Sequence, residues 1–88
     1  MYLIRNDHLF TKWLDKELDC MEWYRHLRGK GVPCAVVKAH GRPTRYQFAV
    51  VTSKSREVTR VSKDRVTSFR ILHLANGFEP EAVFQKVP

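Results

Sequence analysis

Cys20, His26, Cys34 and His40 form a C-x5-H-x7-C-x5-H series, and four soft-to-borderline ligands in that order raise the question of a zinc site. The spacing opposes it. Residues six apart on a helix are separated by roughly 600° of rotation, so Cys20 and His26 point to different faces. The short C-x2-C or H-x3-H pairs that normally seed a tetrahedral site are missing. Two cysteines are also fewer than a small disulfide scaffold carries, so both are read as reduced thiols behaving as small apolar side chains. Asp15, Asp19 and Glu22 share one helical face and would suit acid-base or metal chemistry, but Lys12 and Lys16 alternate with them at three- and four-residue steps. That pattern is the one of a solvated, ion-paired surface. His8, His26, His40 and His73 stand in no nucleophile arrangement, and there is no phosphate loop. The expectation is a protein that is not an enzyme and needs no cofactor or metal.

The basic residues carry more information. Twelve of the sixteen lysines and arginines fall between Arg25 and Arg70, where only Glu57 and Asp64 oppose them, a local balance of +10. The segments before and after are acidic, at −2 and −1. Segregation of this kind marks a cationic surface whose partner is an anion. Arg28, Lys30, Lys38, Arg42, Arg45, Lys54, Arg56, Arg60, Lys63 and Arg65 are the candidate binding residues, for nucleic acid or for an acidic protein surface. Tyr46 and Phe48 flank Gln47 beside Arg45 and could stack on unpaired bases. Core packing is the commoner use of such side chains in a chain this short. His40-Gly41-Arg42-Pro43-Thr44 could project Arg42 into a groove, although turns select the same residues for backbone reasons.

These residues need elements to position them. Asn6-Asp7 offers N-cap side chains, and Leu9, Phe10, Trp13, Leu14, Leu18, Met21, Tyr24 and Leu27 recur at three- and four-residue steps, which predicts one long amphipathic helix ending at Gly29 or Gly31. Val32 to Ala39 reads as a strand with its proline at the start, His40 to Thr44 as a turn, and Arg45 to Thr52 as an antiparallel partner strand. Glu57 to Val61 is a third short strand. Residues 64 to 74 fit either a helical stripe or a strand, and the weak helix formers Thr67, Ser68 and Ile71 favour the strand. Asn76-Gly77 closes it, and Glu79-Pro80-Glu81 opens a last helical turn that packs Val83 and Phe84 inward.

The expected fold is α+β, a single domain over residues 1–88, with one long N-terminal helix on a small, mostly antiparallel sheet of three to five strands. The 43% apolar fraction suits a folded chain, and neither a leader pattern nor an apolar run of membrane-spanning length is visible, so the chain is read as intracellular and cytoplasmic. The expected function is nucleic-acid binding through the basic sheet and turns of residues 28 to 65. RNA or single-stranded DNA is favoured over a duplex, because no convincing helix in the basic stretch could read a major groove. The alternative is a small regulator or inhibitor, of the kind viruses encode, that docks its cationic face on an acidic protein.

Overall fold

The computed structural model describes residues 2–4, 9–10, 13–41, 46–52, 60–61, 65–79 and 84–86, and for residues 3, 4, 9, 10, 46, 60, 61, 65 and 85 it describes the backbone alone. The elements in chain order are β1 (Tyr2–Ile4), β2 (Leu9–Phe10), α1 (Glu17–Gly29), β3 (Cys34–Gly41), β4 (Tyr46–Thr52), β5 (Arg60–Val61), β6 (Arg65–Ala75) and β7 (Phe84–Lys86). All strand pairs are antiparallel, in the order β5-β2-β4-β3-β6-β1-β7. The fold is α+β, with one helix among the described residues.

The β3–β4 hairpin forms in the register that alternation of apolar side chains predicts, Cys34 facing Thr52 and His40 facing Tyr46. Residues 65–75 are a strand along their whole length, and they run along the other side of β3. The sheet is wider than the three to five strands expected. The unforeseen strands are β2 and β7, of two and three residues, which fall where the sequence predicts helix and are too short to show a period of their own. Residues 57–59 and 80–83, where the third strand begins and the last helical turn was expected, lie outside the described residues. Phe84 itself is buried, but in β7.

The start of the helix is the main correction. Leu9–Phe10 pairs with Val51 and Thr52 as β2, and Leu14 exchanges two backbone hydrogen bonds with Phe48, at 2.7 and 2.8 Å. Leu9, Phe10 and Leu14 therefore lie along the outer edge of β4, and α1 begins only at Glu17. Asn6-Asp7, the expected cap, lies outside the described residues. Two turns of apolar spacing fit a helix or an edge strand equally well, and satisfying the open edge of β4 decides between them.

The cap that α1 does have is Lys16, which makes no side-chain capping bond. A cation there also opposes the positive end of the helix. Lys16→Ser should therefore raise the unfolding free energy by about 1 kcal/mol, readable as a higher thermal midpoint, and an unchanged midpoint would show that the first turn is held by other means. At the other end Gly31 adopts φ +76°, its amide bonds to the Arg28 carbonyl at 3.1 Å and the Val32 amide to the Leu27 carbonyl at 3.0 Å. This is a Schellman termination, and it uses Gly31 for the left-handed position that a side chain would strain.

Two apolar clusters lie on opposite faces of the sheet. Cys20, Tyr24 and Leu27 of α1 pack on Cys34, Val36 and Val50, with Phe48 and Leu72 beside them. On the other face Ala35, Val37, Ala39, Ala49, Val51 and Val66 meet Phe78 and Phe84, with no helix over them among the described residues. Connectivity explains how that face is buried. β1 flanks β6 and β2 flanks β4, so Ile4 and Leu9 are separated by four strand spacings, roughly 19 Å at about 4.8 Å each. The registers add about nine residues along the strands, roughly 30 Å. Five residue steps reach at most about 18 Å. The sheet must therefore coil until its flanks approach, in the manner of a partly closed barrel whose strand stagger and closure are linked. The alanines at 35, 39 and 49 suit the crowded inner face of such a curl, and α1 packs on the outside.

Two irregularities in the β3–β6 ladder, between Val36 and Val37 and between His40 and Gly41, place the extra residues Leu72 and Thr67 in β6. Bulges of this kind bend a strand and re-aim side chains. Thr52, the one buried polar side chain among the described residues, donates to the Pro33 carbonyl at 2.6 Å. Asn76 (φ 56°) and Gly77 (φ 74°) then form a tight turn closed by a 3.3 Å bond from the Phe78 amide to the Ala75 carbonyl. The Asn76 side-chain amide donates to the Arg28 and Val32 carbonyls, tying the end of β6 to the end of α1.

Candidate anion-binding surface

Along β3, Ala35, Val37 and Ala39 face the inside of the curl, so Lys38 and His40 face outward, on the side of α1. Register supplies their neighbours. Lys38 is opposite Arg70 of β6 and Phe48 of β4, and His40 is opposite Ser68 and Tyr46. Lys38, His40, Ser68 and Arg70, with Phe69 between the last two, line a recess of about 240 Å³. Ser68 and Arg70 are exposed, and Lys38 and His40 half-buried.

The side chains of the recess are oriented by specific contacts. The Lys38 ammonium stands 5.6 Å from the centre of the Phe48 ring, a cation–π arrangement. Phe48 is itself half-buried in the cluster under α1, so its position is set by core packing. The Thr67 hydroxyl, brought round by the bulge, donates to the His40 carbonyl at 2.8 Å and lies 3.5 Å from His40 Nδ1. Phe69 is held from the inner face, in edge contact with Tyr2 at 5.2 Å and stacked at 4.0 Å against Phe84. One row beyond Arg70, past the bulge, His73 Nε2 lies 3.3 Å from Glu17 Oε1, so the acidic start of α1 borders the recess on that side.

The ten basic residues expected to form one surface do not all gather here. Lys38 lies in the recess. Arg28 and Lys30 are at the far end of α1, next to Asn76 and the Cys34–Ala75 pair, four residues along β3 from Lys38 and so about 13 Å away. Arg28 lies over the Tyr24 ring at 5.3 Å, and Tyr24 donates its hydroxyl to the Leu74 carbonyl at 2.9 Å. Arg60 and Arg65 are placed by their backbones, Arg60 in β5 opposite Phe10 of β2 and Arg65 in β6 opposite Leu3 of β1. Arg42, Arg45, Lys54, Arg56 and Lys63 lie outside the described residues, as does the side chain of Tyr46. The candidate set omits Arg70, His40 and Ser68. Alternation along β6 carries the signal for two of them, since Ser68 and Arg70 interleave with Phe69 and Ile71.

The thiols are buried and free of disulfide. Burial, reinforced by Asp19 and Glu17, pushes the Cys20 thiol up to about 12, and burial also raises Cys34, against a smaller opposing effect of Arg28. Both groups stay protonated near neutral pH, which makes them poor nucleophiles and ligands. No group of three or more metal-ligating side chains occurs among the described residues. No helix among them is long and apolar enough to cross a membrane. Searches with protein-family models, among curated proteins and among solved structures give no match to this chain.

Proposed function

We propose that the protein is a non-enzymatic nucleic-acid-binding protein that engages the backbone of RNA or single-stranded DNA with the outward face of β3 and β6. The observation that carries the proposal is the cross-strand pair Lys38–Arg70 on the rim of a recess, within a segment that carries +10. Two cations held side by side on rigid strands meet a phosphate without first losing much side-chain freedom. Engagement of about six phosphates of a single strand by the basic segment as a whole gives a slope of about −4 for log affinity against log salt concentration. Titration of mixed-sequence single-stranded RNA and DNA at about 50 and 200 mM salt is expected to show a loss of affinity of roughly three-hundredfold between the two. No complex at the lower salt would refute the proposal.

A second proposal, that the cationic face docks on an acidic protein, has a separate observation behind it. Leu18 is 74% exposed and Trp23 40% exposed on α1, and apolar side chains beside arginines are common in protein interfaces. A stoichiometric protein partner retained after nuclease treatment of a lysate would favour this proposal. Loss of every partner on nuclease treatment would favour nucleic acid.

A further inference from the structure

We infer that the recess between β3 and β6 is a phosphate subsite, in which Arg70, Lys38, His40 and Ser68 hold one tetrahedral oxyanion and no base is read. This rests on the nucleic-acid proposal and adds which atoms do the binding. The groups are of four kinds on two adjacent strands. Arg70 supplies a planar fork, Lys38 a point charge, and Ser68 a hydroxyl, with the His40 imidazole opposite it. Donors that approach from several directions match the tetrahedrally arranged oxygens of a phosphate, two of them non-bridging in a nucleic-acid backbone, better than the two coplanar oxygens of a carboxylate.

The aromatic neighbours explain why no base is read. Phe48 is half-buried under α1 and has the Lys38 ammonium over its ring, and Phe69 is packed between Tyr2 and Phe84. Their faces are engaged in positioning the recess, whereas a stacking platform presents its face to the nucleotide. The base-stacking role that Phe48 suggests from its place on a basic strand is therefore replaced by an orienting role. Contacts to the backbone alone carry no sequence information, so binding at this subsite is independent of base identity.

The chemistry is shared by a nucleic-acid backbone and by free inorganic phosphates, and one experiment separates the two. Amide shifts of the full chain are followed by NMR during titration with inorganic pyrophosphate and with ten-nucleotide RNAs of different sequence. The expected result is a common set of shifts at Lys38, His40, Ser68 and Arg70 with both probes, and equal affinity for every RNA sequence. Arg70→Ala should weaken RNA binding about tenfold and lower the salt slope by about 1, and Arg70→Lys should recover part of the loss. Ser68→Ala, a change at an exposed side chain, should weaken it by a smaller factor and provides a variant that keeps both cations. RNA binding with shifts elsewhere, and no effect of Arg70→Ala, would overturn the subsite and leave the nucleic-acid proposal standing. Shifts at these four amides with pyrophosphate, in a protein that binds no RNA, would support the oxyanion site and remove the nucleic-acid proposal. A strong preference among RNA sequences that is lost with Arg70→Ala would overturn the claim that no base is read.

Discussion

Leu27→Ala is expected to lower the unfolding free energy by about 3 kcal/mol, the middle of the range for removing a buried leucine without collapse of its surroundings. Leu27 is fully buried and is the largest of the fully buried side chains among the described residues. It sits in the last turn of α1, between Cys20 and Tyr24 on the helix and Cys34, Val36 and Val50 on the sheet. The site has little capacity to close over a cavity, because the strands beneath are fixed by pairing on both sides and the helix end is fixed by the Schellman turn and by Asn76. For an 88-residue chain the total stability is of the order of 4–13 kcal/mol, so the variant loses a large share of it. Its thermal midpoint should fall by roughly 10–20 °C. Leu18→Ala, at an exposed position on the same helix, should change stability by less than about 0.5 kcal/mol. Chemical denaturation of both variants checks this, and similar midpoints for the two would show that α1 is not anchored through Leu27.

Reversing both charges of the recess, Lys38→Glu with Arg70→Glu, is expected to weaken nucleic-acid binding more than a hundredfold at about 100 mM salt. The change removes two phosphate contacts and adds two repulsive carboxylates on adjacent strands. The necessary control makes the same change in net charge elsewhere. Arg25 and Lys30 are exposed on and just beyond α1, at the far end of the sheet, and Arg25→Glu with Lys30→Glu should cost less than about tenfold. Filter binding or fluorescence anisotropy at matched salt measures both. Equal losses in the two double variants would mean that affinity follows total charge and that the recess has no special part in it. Circular dichroism is needed alongside, since Lys38 also contacts Phe48 and its replacement removes a cation–π contact from the rim of the core.

The parts of the fold visible in the sequence are those where local chemistry and tertiary demand agree. The apolar run at residues 34–37 and the alternation that opens at residue 46 both read as strand because the middle of the sheet is covered on both faces, and the glycine at 31 and the pair Asn76-Gly77 mark backbone positions with positive φ. Residues 9–14 show the limit. Leu9, Phe10, Trp13 and Leu14 continue the helical period of α1, yet Leu9, Phe10 and Leu14 pair with β4, because the hydrogen-bonding groups of that edge lie too far along the chain to influence a local pattern. The site divides in the same way. Lys38 stands out in the sequence as a basic residue on a strand. Arg70 lies beyond the boundary drawn at residue 65, and its place next to Lys38 depends on the β3–β6 register and its bulges.

By itself the sequence determined an α+β chain with a helix, a hairpin and a cationic middle, since composition, period and turn residues are local properties. Which cations stand together was decided by tertiary structure alone. Pairing of β3 with β6 sets Arg70 against Lys38 across a gap of thirty-two residues, while Arg28 and Lys30, closer to Lys38 in the chain, are carried to the other end of the sheet. Charge proximity in a sheet follows from strand register, and register is settled by which faces are buried when the strands coil into one body.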